Sequence, residues 1–171
     1  MGFLALTSWL VALDFAFRFI RTALRIGRLL RCLETEVKTF QDPAMTEVVC
    51  GVIVDDEGSI LACRRSPERV LGGLWEFPGG KVDEGESYEQ ALRRELMEEL
   101  GVSVSVGKKF GAEVEWADGK VSIRLTAFRC RIEEGDVTAL EHEEIRWCDE
   151  DGLAGLDWAE ADKPIVAEII G

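Results

Sequence analysis

A run of charged residues that ends in three closely spaced glutamates carries the chemistry most legible in this chain. Glu86, Arg94, Glu95, Glu98 and Glu99 come after a loop that holds Gly79, Gly80, Lys81 and Gly85. Ser87 and Gln90 form a capping box, and Gly101 supplies a stop, so the spacing predicts a helix between them. At ~100° per residue, Tyr88, Leu92, Leu96 and Leu100 make one apolar stripe. Glu99 falls inside that stripe, Glu95 lies on its margin and Glu98 just beyond. Carboxylates aimed at a core are costly unless paired or bound to metal, and like charges at this spacing repel. A hard, oxygen-liganded cation such as Mg²⁺ resolves both problems. A Glu-rich helix is ordinarily a solvated face, but here two of the three acids sit on or beside the buried side. A surface helix also has no use for the preceding glycine loop.

The elements that must position these groups fit one α/β domain. The 171 residues suffice for a sizeable core, and the formal net charge is −13. Residues 1–44 carry six Lys or Arg against four Asp or Glu, which leaves −15 on the rest. A domain that acidic repels a polymeric nucleic acid, though it can bind small nucleotides when divalent cations bridge the two. Cys32, Cys50, Cys63, Cys130 and Cys148 are odd in number and show no C-x-x-C pair. They read as reduced thiols of a cytoplasmic protein, mostly buried in strands.

Residues 1–44 differ in character from the rest of the chain. An apolar run through Phe17 is interrupted by Asp14, and Arg18, Arg21, Arg25 and Arg28 then form a basic stripe at helical spacing. The run is shorter than the roughly 20 residues a membrane span needs, and it lacks the features of a secretory signal. Three readings stand: a helix on an anionic membrane surface, a helix packed on the domain or a second subunit, or translated upstream sequence with the start at Met45. The last is preferred. From Glu47 the pattern predicts strands at 48–54 and 60–64, a loop at 66–73 and a short strand at 75–77. After the helix come an extended stretch at 102–116, broken near Gly107 to Gly111, and a hairpin turn at Asp118-Gly119. Strands at 121–132 and 145–148 come next. A final helix starts at Ala161 or Asp162, with Pro164 in its first turn.

Gly80, Glu86, Arg94, Glu95, Leu96, Glu98, Glu99, Gly101 and Val102 fill every fixed position of the Nudix box, so the chain resembles that hydrolase family from about Glu47 to its C-terminus. Leu74 to Lys81 resembles the MutT-type branch, which cleaves nucleoside triphosphates. The resemblance implies a Nudix-type α/β/α sandwich around a mixed sheet. It implies Mg²⁺, with Mn²⁺ as a substitute, held by Glu98 and Glu99 with help from the Gly79 carbonyl. Glu95 binds metal or orients the attacking water, and Glu86 pairs with Arg94 to fix loop against helix. Glu141, six residues before Trp147, completes the metal cluster or acts as base; Glu143 and Glu144 are close rivals. His142, the only histidine, reads as a surface or loop residue.

By the same resemblance Arg65 holds substrate phosphates, a task suited to a planar guanidinium. Lys81 reaches them as a point charge, and Arg64 points to the opposite face. Asp162 occupies the place of the base-reading Asn or Asp. Ionised, it suits an amino group such as that of cytosine; protonated, it faces an oxidised guanine. The competing reading of Asp162 is a plain helix cap. Trp116 and Phe77 are stacking candidates, with core packing the alternative.

The reaction implied is Mg²⁺-dependent hydrolysis of a (deoxy)nucleoside triphosphate to monophosphate and pyrophosphate. It would serve pool sanitisation (8-oxo-dGTP) or CTP-type pyrimidine hydrolysis, in a monomer or homodimer. Two alternatives compete: hydrolysis of a sugar nucleotide or dinucleoside polyphosphate, and a non-catalytic module that binds damaged bases in DNA. The complete box and the acidic charge weigh against the second.

Overall fold

The computed structural model describes residues 45–118 and 121–171. The expectations for residues 1–44, Cys32 included, lie outside these, as do Gly119 and Lys120 of the expected hairpin turn. Next to that turn, Asp118 N–H donates to the Val121 carbonyl at 3.2 Å.

Strand β1 (Met45–Ile53) runs through the middle of a four-stranded mixed sheet ordered β4-β1-β6-β5. Its Val49, Val52 and Ile53 are all buried, as an apolar run flanked on both edges and covered on both faces requires. It pairs parallel with β6 (Ser122–Glu134) and antiparallel with β4 (Gly79–Lys81), Val49 opposite both Thr126 and Gly80. Strand β5 (Ser103–Ala117) closes the far edge against β6, with register shifts between Val106 and Lys109 and between Phe110 and Val114. These fall where glycines predicted a break.

The remaining strands, β2 (Ile60–Arg65), β3 (Trp75–Glu76) and β7 (His142–Cys148), form a separate antiparallel sheet ordered β3-β2-β7. The expected single sheet is thus divided in two. After the turn at Asp55–Ser59 only one bridge, Val54 to Ile60, joins β1 to β2. Beyond it, Ile53 and Leu61 share one apolar core rather than a hydrogen-bond ladder.

Helix α1 (Tyr88–Leu100) is built as its sequence dictates. Ser87 and Gln90 form the reciprocal capping box, and Gly101 ends the helix in the left-handed conformation at φ 71°. Leu92, Leu96 and Leu100 are fully buried against Val49, Ile53, Val104 and Cys130. Two shorter helices, α2 (Glu150–Ala154) and α3 (Lys163–Ile170), border a second core with Phe77, Phe110, Leu125 and Trp158. Helices therefore flank the strands, an α/β/α arrangement. The sequence reading missed α2, a five-residue turn around Gly152 whose N–H is capped by Asp149. It also missed β4, read as a glycine turn. Gly79 has φ 148°, and a Cβ there would collide with the Val49 carbonyl, so only glycine brings this segment against β1.

The described cysteines, Cys50, Cys63, Cys130 and Cys148, are free and buried, and burial raises each thiol's pKa, Cys130 to about 12. They act as small apolar side chains. Among the described residues no helix is long and apolar enough to cross a membrane.

Candidate active site

The carboxylates of α1 meet the glycine strand β4. Glu99 is 6 % exposed, and its Oε2 accepts the Gly79 N–H at 3.0 Å. Burial pushes its pKa up to about 7, while His142 and the Gly79 bond pull it down. Gly80 lies under Glu95: a Cβ there would overlap the Glu95 carboxylate. Glu95 Oε1 accepts from Arg94 Nη1 at 2.7 Å, and the more exposed Glu98 lies 3.7 Å from the same nitrogen. Arg94 is anchored as expected, to Glu86 at 2.8 and 3.0 Å and to the Lys81 carbonyl at 3.1 Å. It locks loop, strand and helix together, and these acceptors hold its proton more firmly than an ordinary guanidinium's. The Lys81 side chain is exposed at the end of β4.

The other sheet brings a group that the sequence reading did not single out. Glu76, on β3, ion-pairs with Arg65 and lies 3.2 Å from Nε2 of His142. His142, expected at the surface or in a loop, is 9 % exposed at the start of β7. It pairs opposite Arg65 beyond a bulge in β7, where Glu143 is the extra residue. Arg65 Nε also donates to the Val70 carbonyl at 2.8 Å. The signal in the sequence was a lone acid between Trp75 and Phe77, both buried: a charge in a strand that apolar has partners waiting. Glu76 thereby joins the phosphate-arginine candidate to the histidine beside Glu141, and its charge also reaches Glu99 and Asp162.

Glu141 is not drawn to the α1 carboxylates. Its Oε2 lies 2.5 Å from Arg69 Nη2, and its carbonyl accepts from Ser66 Oγ at 2.8 Å, so it ties the 66–73 loop to β7. Glu143 and Glu144 lie 3.5 and 3.7 Å from Arg64, which also donates to the Gly73 carbonyl. Arg64 and Arg65 thus serve different partners.

Asp162 is the N-cap residue of α3, yet its side chain makes no cap bond. It is 5 % exposed, and Oδ1 instead accepts the Phe77 N–H at 3.0 Å. Burial raises its pKa to about 7, opposed by that hydrogen bond. The plain-cap reading therefore fails on geometry. Phe77 is buried with its ring tilted against Trp158, centroids 4.7 Å apart, so it offers Asp162 a backbone amide while its ring belongs to the core. Trp116 is half-buried on edge strand β5, packed against the same core.

The donors suit a hard cation. Glu95, Glu98 and Glu99 offer only oxygen donors from one helix, and a buried carboxylate such as Glu99 favours its ionised form only beside positive charge. Among the described residues, no three His, Cys, Asp or Glu side chains converge on one point. The acids are shared instead among Arg94, Gly79 and Arg69.

A mixed strand layer between helices, with acids of one helix set over a glycine strand, defines a Nudix-type fold and site. The chain belongs to the NUDIX domain family, whose model matches residues 45–169. Among curated proteins it is 38 % identical over 122 residues to a CTP pyrophosphohydrolase of Escherichia coli (strain K12), covering 71 % of this chain and 89 % of that one. It is 38 % identical over 126 residues to a putative 8-oxo-dGTP diphosphatase 2 of Mycobacterium tuberculosis (strain H37Rv), covering 71 % and 86 %. The crystal structure of a MutT protein from Methanosarcina mazei Go1 superposes with a TM-score of 0.67 at 26 % identity, over 75 % of this chain and 94 % of that one.

Proposed function

We propose that this Nudix hydrolase cleaves (deoxy)nucleoside triphosphates to the monophosphate and pyrophosphate, and that its base is of the cytosine or oxidised-guanine type. The observation that carries the reading is the placement of Glu99 and Asp162. One buried acid sits on the box helix and the other at the head of α3, and each is fastened to the segment between Phe77 and Gly79. Glu95, Glu98 and Glu99, with the Gly79 carbonyl, would hold Mg²⁺, which neutralises phosphate oxygens when bound. Arg65, steadied by Glu76, and Lys81 hold the phosphate chain. Glu95 or Glu141 takes the proton of the attacking water, and Asp162 reads the base edge. Relatives named for CTP and for 8-oxo-dGTP support both base types. An acid with a pKa near 7 can present an acceptor to an exocyclic amine or a donor to a carbonyl.

The test is a panel of CTP, dCTP, 8-oxo-dGTP, dGTP, a sugar nucleotide and a dinucleoside polyphosphate with Mg²⁺, products resolved as pyrophosphate or orthophosphate. Pyrophosphate release, fastest with CTP-type or oxidised nucleotides, is expected. Orthophosphate as the main product, or preference for the sugar nucleotide, would overturn the reading. Asp162→Ala should flatten the ranking among bases by about 1–3 kcal/mol of discrimination, while Mg²⁺-dependent hydrolysis persists.

A further inference from the structure

The cations of the described domain are distributed unevenly. Most Lys and Arg side chains hold a carboxylate at ion-pair distance, as Arg93, Lys109, Arg124 and Lys163 do. Among the described residues Lys81, Lys108, Arg129 and Arg131 take part in no such pair. Lys81 lies at the candidate active site. The other three line a single cavity of about 330 Å³, over Val54 and Cys130, with no carboxylate in its wall. In a chain of net charge −13, three neighbouring cations without a single acid between them are unexpected. They repel one another unless an anion lies among them.

Local structure creates this grouping. Alternation along β6 turns Arg129 and Arg131 to one face, away from Cys130, which is buried. Opposite them, Val106 pairs with Cys130 and Lys109 with Phe128, so Gly107 and Lys108 together face Arg129. That two-against-one bulge re-aims Lys108. Gly107 suits the bulge, since a Cβ there would sit 3.0 Å from the Arg129 carbonyl, a tight contact. The Arg129 guanidinium lies over the Phe110 ring, 4.9 Å from its centroid, which holds it in place. Val54 lies just past the end of β1, five residues beyond the Val49 that faces Gly80. At ~3.3 Å per residue, the cavity is roughly 16 Å along the strand from the box glycines.

We propose that this cavity is a second anion site, which binds the phosphate chain of small phosphorylated anions without hydrolysing it. Two guanidinium forks and one ammonium match phosphate oxygens. The volume is that of a small-molecule site. With no carboxylate in its wall, the site has no ligand set for a bridging metal and no base for water. It therefore takes the anion metal-free, the reverse of the box site. Free pyrophosphate and a nucleoside triphosphate share the chemistry it reads, and its existence does not depend on which nucleotide the box site cleaves.

The test is isothermal titration of the full chain in EDTA at low ionic strength, with inorganic pyrophosphate in one arm and CTP in the other. Saturable binding that weakens with added salt is expected in at least one arm. If both bind alike, the phosphate chain alone is read; if only CTP binds, the nucleoside adds contacts. Arg129→Gln/Arg131→Gln should weaken binding at least about ten-fold, as loss of two charge-assisted pairs implies. Lys81→Gln should leave it intact. Because Arg129 packs on Phe110, Lys108→Gln/Arg131→Gln, which spares that contact, carries the test should the first variant misfold. Absence of saturable binding in both arms would overturn the proposal. So would binding unchanged in the folded variants, or lost in Lys81→Gln. A parallel arm with phosphatidylserine vesicles separates a membrane-surface role: variant-sensitive vesicle binding with no uptake of pyrophosphate or CTP also overturns it.

Discussion

Glu99 and Asp162 are alike in one respect: each is a buried acid that accepts a hydrogen bond from a backbone amide of the same short segment. Their consequences differ. Glu99→Gln keeps an acceptor for Gly79 N–H but removes the charge that a cation needs. Turnover with Mg²⁺ should fall by orders of magnitude while the circular-dichroism spectrum is unchanged; full Mg²⁺-dependent activity in this variant would refute the site. For Asp162 the readout is stability. Its folded pKa of about 7 lies above the ordinary 3.8, so the folded state holds the proton more tightly. Its contribution to stability is fully present below about pH 3.8 and is lost as pH rises through about 7. Asp162→Asn keeps the Phe77 bond and abolishes this titration. Urea denaturation should show a smaller decline between pH 4 and pH 7 for the variant than for the parent chain, leaving the variant the more stable of the two above pH 7. Identical slopes would show that the fold does not raise the Asp162 pKa.

At the scale of elements, the loop at 66–73 and the start of β7 hold each other through Arg69 and Glu141. Both side chains are well exposed, and such a pair is worth about 1 kcal/mol or less. It can therefore yield to a stronger claim on Glu141. If Glu141 serves the chemistry, Arg69→Ala should leave turnover intact or raise it, and should lower the Mg²⁺ concentration for half-maximal rate. Glu141→Gln should slow turnover in both backgrounds. Equal rates for Glu141→Gln and the parent chain would confine Glu141 to tying loop to strand. The Glu76 contacts show why strand pairing matters here. Cys63 of β2 pairs opposite Glu76, and Arg65 opposite His142, so one short sheet aligns the three polar groups.

For the whole molecule, the described elements from Met45 onward contain both cores, the box helix and Asp162. A chain beginning at Met45 should therefore fold and hydrolyse nucleotides as fast as the full chain. Cosedimentation of both with anionic vesicles completes the comparison. Binding by the full chain alone would assign residues 1–44 to a membrane surface, each basic residue contributing about 1 kcal/mol near anionic lipid. Loss of activity on truncation would show that the segment supports the domain.

What the sequence by itself determined is the part governed by short range. The capping box, the Leu92–Leu96–Leu100 stripe, the Gly101 stop and the Glu86–Arg94 lock all lie within a few helical turns, where 3.6-residue periodicity and capping chemistry act directly. The identity of the box comes from that stretch alone. What only the tertiary structure decided depends on residues far apart in the chain. Asp162 meets Phe77 across 85 residues and His142 meets Glu76 across 66, and neither partner carries a local mark of the other. The division into two sheets turned on one bridge after β1, which alternation does not encode. The unpaired cations at 108, 129 and 131 came together only because a bulge in β5 shifted its register against β6. Local spacing thus set which groups the box helix presents, whereas strand pairing set which distant groups face them.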